Sequence, residues 1–73
     1  MKTVDIRGLA AEESLDKLKE GLLEDPTGVV VAYEDFDSVR KIAPVLGRMG
    51  YRYEPFSTEG VKLVSFLRIT TFG

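Results

Sequence analysis

The segment that leaves this chain the least choice is Gly28-Val29-Val30-Val31-Ala32-Tyr33-Glu34-Asp35. Short and rich in β-branched side chains, it fits a strand covered on at least one side. Stretches with helical apolar spacing lie on either side of it. Upstream, Ala11, Leu15, Leu18 and Leu22 are spaced by four, three and four, which places them on one helical stripe. Glu12 and Glu13 in the first turn suit the positive end of that helix's dipole, and the turn residues Asp25-Pro26-Thr27-Gly28 end it. Downstream, Val39, Ile42, Ala43, Leu46 and Met49 form a second stripe, with Asp37 or Ser38 as the N-cap and Gly50 as the stop. Pro44 falls inside this helix, where the loss of one backbone donor predicts a kink.

The two ends of the chain read as strands. Residues 3 to 7, TVDIR, alternate so that Val4 and Ile6 share one face. Residues 51 to 70, YRYEPFSTEGVKLVSFLRIT, read as two strands around the turn Ser57-Thr58-Glu59-Gly60, and Pro55 favours an edge position for the first of them. The order is strand, helix, strand, helix, strand, strand. Right-handed crossovers put successive helices on the same side of a sheet, so the expected fold is α+β: a two-layer α/β sandwich of βαβαββ order, a four-stranded mixed sheet with both helices on one face. No repeat or linker interrupts it, and residues 1–73 are expected to form a single domain.

Composition narrows the chemistry more than the fold. With 73 residues, 44% hydrophobic and 30% charged, the chain has enough apolar surface for one small core. Ten basic against twelve acidic residues leave a net charge of −2, so no overall field draws in nucleic acid or an anionic membrane. Cysteine and histidine are absent. Their absence removes thiolate nucleophiles, persulfide carriage, imidazole bases and nearly all zinc, copper or iron chemistry, and no cofactor or metal is expected. The opening MKTVDIRG is too polar for a signal peptide and no segment approaches the roughly 20 apolar residues that span a bilayer, so a cytoplasmic protein is the expectation.

The phrase Asp5-Ile6-Arg7-Gly8-Leu9 resembles the opening of the TusA/SirA-like sulfur-carrier family, whose members read Asp-x-Arg-Gly-Leu, one more residue, then Cys-Pro-x-Pro leading into the first helix. Element order, chain length, a valine-rich second strand ending in Glu34 and Asp35, and a proline in the second helix agree with that resemblance, which covers essentially the whole chain. Counting from Arg7-Gly8-Leu9 places Ala11 at the family's cysteine, Glu12 at its first proline and Ser14 at its second. In the family that cysteine carries a persulfide, and a methyl group cannot. The resemblance therefore implies a divergent member that keeps the fold, lacks the Cys-Pro-x-Pro motif and is not an enzyme. Within it, Gly8 would permit the tight strand-to-helix corner and Leu9 would anchor that corner in the core.

Around the corner, Arg7, Gly8, Glu12 and Ser14 are the candidates for a partner or anion site at the first helix N-terminus. The plainer readings are a local ion pair between Arg7 and Asp5, dipole complementation by Glu12 and Glu13, and a capping or surface role for Ser14, which has only Lys17 nearby as a base. Glu34, Asp35 and Asp37 gather negative charge where a hard cation could sit, or form an ordinary acidic turn before a helix.

A two-layer fold leaves one sheet face without helices. In the last strand Leu63, Leu67 and Ile69 fall on one side and Lys62, Val64, Phe66 and Arg68 on the other. The second set, with one of Tyr33, Tyr53 or Phe56, is taken as the outward, apolar and basic surface, suited to a protein partner or a homodimer. Three functions follow: a non-catalytic protein-interaction or regulatory module; a small-anion or metabolite-binding domain; and a weak RNA binder, through a looser resemblance to the C-terminal domain of translation initiation factor three. Nucleic acid is the least favoured partner, since no RNP-like motif is present.

Overall fold

The computed structural model describes residues 1–69 and has the expected order: β1 (Lys2–Asp5), α1 (Ala11–Glu24), β2 (Gly28–Ala32), α2 (Phe36–Arg48), β3 (Tyr51–Thr58) and β4 (Val61–Arg68). The strands form one sheet in the order β1-β2-β4-β3, with β1 parallel to β2 and β4 antiparallel to both its neighbours. Pro55 lies on the edge strand β3, where its missing N–H costs the sheet least. Thr70, the last residue of the expected final strand, lies outside the described residues.

Both helices cover the face presented by Val29, Val31, Val64 and Phe66, all of them fully buried. Leu18 and Leu22 from α1, Val39, Ile42 and Leu46 from α2, and Ile6 after β1 complete the core. The α1 stripe is turned slightly from its expected centre: Ser14, Leu18, Gly21 and Leu22 are buried, while Ala11 and Leu15 lie at the margin. Gly21 explains the turn. A Cβ there would lie 3.3 Å from Val4 Cγ2 and 3.5 Å from Val29 Cγ2, so the missing side chain lets α1 settle onto β1 and β2. At the start of β2 a Cβ on Gly28 would collide with the Phe66 carbonyl oxygen, which makes glycine necessary beside the central strand.

The second helix begins earlier than its sequence suggests. Asp35, not Asp37 or Ser38, is the N-cap, and its carboxylate accepts the Asp37 N–H at 3.0 Å. Starting at Phe36 brings that ring edge-on to Tyr33, with centroids 5.7 Å apart, and near Tyr53. The helix runs on through Pro44 to Arg48 and ends at Gly50, whose φ of 97° favours glycine. Tyr51 then enters the core and donates its hydroxyl hydrogen to the Pro26 carbonyl at 2.7 Å, tying the start of β3 to the turn before β2.

Candidate functional site

The β1–α1 corner is built from its first residue onward. Ile6, 2% exposed, anchors the chain as it leaves the sheet, and its N–H donates to the Ala32 carbonyl at 3.0 Å. Gly8 turns the backbone at a φ of 76°, and the Leu9 N–H returns to the Ile6 carbonyl at 3.1 Å while the Leu9 side chain packs against the core. Ala10 is the N-cap of α1 and offers no side-chain acceptor. Ala11, the position that the resemblance assigns to a cysteine, opens the helix half-buried, with Glu12 and Glu13 exposed beside it.

The polar groups at this corner are satisfied from within. Arg7 folds back on Asp5 through two parallel bonds, Nε to Oδ1 at 2.9 Å and the terminal nitrogen to Oδ2 at 2.8 Å, and its backbone N–H adds a third at 3.0 Å. Hydrogen bonding from the Arg7 side chain, then from its backbone N–H, holds the Asp5 carboxyl down at about 2, and the same carboxylate raises the Arg7 pKa. The ion-pair reading of these residues is therefore the arrangement found. Ser14 is not a surface serine. It lies on the inward stripe at 1% exposure and donates its hydroxyl hydrogen to the Ala10 carbonyl at 3.0 Å, while Lys17 lines a groove beside Asp5. Arg7, Gly8 and Glu12 remain at the surface, but Ser14 does not join them.

At the β2–α2 corner the acidic residues are also occupied separately. Asp35 caps α2 and Asp37 lies 3.6 Å from Arg40, while at Glu34 it is the backbone carbonyl, not the carboxylate, that accepts from Lys62 Nζ at 3.2 Å. Among the described residues no three acidic side chains converge as donors for a metal ion.

The outward sheet surface is the reverse of the one expected from the last strand. Val64 and Phe66 pair with Val31 and Val29 and face the helices at 0% exposure; Lys62 and Arg68 emerge at the ends of that same covered side. The open face instead carries Val61, Leu63, Ser65 and Leu67 of β4, with Val30 of β2 and Phe56 of β3 opposite them. The reason is that β4 is apolar on both sides, so its period of two sets no phase by itself. Register with β2 sets it, because Val29 and Val31 bracket the helix-facing side. Phe56 and Val61, 42% and 41% exposed, end the stripe at the hairpin tip. No helix among the described residues is long and apolar enough to cross a membrane.

No protein-family model matches the chain, and no curated protein matches it in sequence. Among solved structures it is similar to a SirA-like protein from Desulfitobacterium hafniense, known from a crystal structure, at 25% identity and a TM-score of 0.72 over 92% of this chain and 96% of that one. Two helices over a four-stranded mixed sheet, matched nearly end to end, define the class as the SirA-like two-layer domain. The chain thus shares its fold with a SirA-like protein, in keeping with the resemblance of its opening phrase.

Proposed function

We propose that this chain is a SirA-like domain that acts in the cytoplasm by contact with another protein, as an interaction or regulatory module, and that it neither carries sulfur nor catalyses a reaction. The observation that carries this reading is the open sheet face, where Val30, Phe56, Val61, Leu63 and Leu67 form an apolar stripe with no second layer over it among the described residues. A domain this small gains little by leaving such side chains in water, whereas a contact surface needs an apolar centre with a polar rim. Thr3, Arg52 and Glu54 supply polar groups at the margins of that face.

The corner supports the other half of the reading. A chain without cysteine has no persulfide to hand on, and the methyl group of Ala11 stands where the family resemblance places the carrier sulfur. The anion-binding alternative is weakened by the same geometry, because the Arg7 charge is spent on Asp5 and the Ser14 hydroxyl is buried.

The test is affinity capture from the native cell extract at moderate salt, with Leu63→Glu and Arg7→Ala variants in parallel and sedimentation of each purified protein. Loss of a bound protein, or of a homodimer, in Leu63→Glu alone supports the open face as the contact. Capture that is unaffected by Leu63→Glu, or turnover of a small molecule by the wild type, overturns it.

A further inference from the structure

The edge of the sheet at β3 combines three features, of which the open-face reading uses only Arg52, at its margin. First, β3 is an eight-residue edge strand, and every residue from Arg52 to its end is exposed; the outer backbone groups of this strand meet no other strand among the described residues. Second, a groove of about 470 Å³ runs along that edge, walled on one side by Arg40, Ala43, Pro44 and Gly47 of α2 and on the other by Tyr51, Arg52 and Tyr53. Positions 40, 43, 44 and 47 share one flank of the helix, and Gly47 keeps the groove wide because a side chain there would point into empty space. Third, the groove is basic. Arg40 and Arg52 line it and no acidic residue does.

We infer that the α2–β3 groove receives an extended, acidic segment of a partner protein, added to the sheet as a fifth strand beside β3. The edge supplies unpaired N–H and C=O groups at strand spacing, the usual basis of strand addition next to a helix. Pro55 offers no donor and so limits the added ladder to Tyr51–Glu54, which is where the groove lies. Ala43, Pro44 and Gly47 leave room for a small apolar side chain of the segment, while Arg40 on the helix wall and Arg52, which pairs with Leu67 and so lies toward the open face, select carboxylates on the two faces of the added strand. A second copy of this chain is a poor occupant. Its β1 edge has only four residues, and the acidic groups beside it are already held, Asp5 by Arg7 and Glu24 by Lys2; pairing through its β3 edge instead would appear as a dimer of the free chain in sedimentation and would overturn the inference. A single nucleic acid strand is also a poorer fit, because Tyr51 is buried with its hydroxyl committed and the half-exposed Tyr53 is the one aromatic ring the groove offers, whereas strand binding by stacking uses successive rings.

The test uses the intact chain labelled with ¹⁵N and three probes at low salt: an acetylated hexapeptide alternating Val and Glu, its Val and Lys counterpart, and oligouridylate. The Val/Glu peptide is expected to shift the amides of Tyr51–Glu54 and of the 40–47 flank and to slow their hydrogen exchange. Charge reversal by Arg52→Glu or Arg40→Glu is expected to weaken binding by about tenfold or more. Gly47→Leu fills the groove without touching the core, so it should abolish binding while the thermal midpoint stays at or above that of wild type. Absence of shifts at millimolar Val/Glu peptide overturns the inference, as does equal binding of the Val/Lys peptide or occupation of the groove by oligouridylate alone. Shifts confined to Val30, Leu63 and Leu67 would overturn it too while leaving the open-face contact standing.

Discussion

The two ends of the sheet treat their polar groups in opposite ways. At the β1–α1 corner Arg7 is doubly bonded to Asp5 and Ser14 is bonded to the Ala10 carbonyl, and at the far end of the same two elements Lys2 meets Glu24, so charge and hydrogen-bonding capacity are used within the molecule. At the β3 edge Arg52 has no ion-pair partner among the described residues, Arg40 lies over the Phe36 ring and 3.6 Å from Asp37 at an exposed position, and a long strand edge faces outward. The corner that the family resemblance marks as functional is thus the self-contained end, and the end without a motif is the one that still has groups to offer. A sequence phrase can outlast its chemistry because it also shapes a turn: Gly8 and Leu9 are needed for the path of the chain whether or not a sulfur follows them.

The contrast between covered and open sheet faces can be broken most severely at Phe66. Replacing it by alanine opens a cavity beneath both helices, and urea denaturation should show a loss of about 3–5 kcal/mol. Leu63→Ala, three residues earlier on the opposite face, should cost below about 1.5 kcal/mol. Equal losses would mean that the open face is packed as tightly as the core. Gly21→Leu tests the seat of α1 on β1: with Val4 only 3.3 Å from a Cβ, the helix must lift, and a loss of about 1–3 kcal/mol is expected from the same measurement.

The comparison between the corner and the edge is sharpened by smaller effects. Ala11→Cys places a thiol at the uncapped start of α1, and the pH dependence of its alkylation should give a pKa of about 7–8, below the ordinary value of about 8.5. A value at or above the ordinary one would show that Glu12 and Glu13 outweigh the helix terminus, and that the corner has lost the electrostatics of a carrier along with its sulfur. The smallest effect concerns Asp5. Its folded pKa is depressed from 3.8 to about 2, so its stabilising contribution is complete above the ordinary carboxylate value and fades as the pH falls through about 2. In Arg7→Ala the pKa of the Asp5 carboxyl, followed by NMR, should rise from about 2 toward 3.8 but stay below it, because the residue-7 backbone N–H remains, with little change in the denaturation midpoint because the pair is exposed.

Most of the fold was legible because its signals are local. The helical spacing from Ala11 to Leu22 and from Val39 to Leu46, the turn at Asp25–Gly28 and the edge preference of Pro55 each follow from a few neighbouring residues, while Met49, expected on the same stripe, follows the end of α2 and is exposed. What was hidden depends on partners distant in sequence. The side of β4 that faces the helices is decided by register with β2, more than thirty residues away, so Val64 and Phe66 read equally well as surface or core. Ser14 looked available because serine is polar, yet its position between Ala11 and Leu18 on the inward stripe, with an acceptor four residues back, could have marked it as a buried, back-bonded hydroxyl. Asp35 was passed over as a cap because Phe36 reads as loop until Tyr33 and Tyr53 are placed around it. The groove at the β3 edge has no sequence signature, since its walls come from two elements and the unpaired backbone along one of them is the same for any residue type.

The place of β4 in the sheet also orders events during synthesis. Among the four described strands it is made after the others, yet it stands between β2 and β3 and supplies Val64 and Phe66 to the centre of the core. Until residues 61–68 leave the ribosome, β3 has no strand to pair with and β2 lacks one of its two neighbours, so the emerging chain holds two helices over an unfinished sheet. The domain therefore closes in one late step, after translation of β4, and a nascent chain arrested before Val61 should remain as sensitive to protease as an unfolded one.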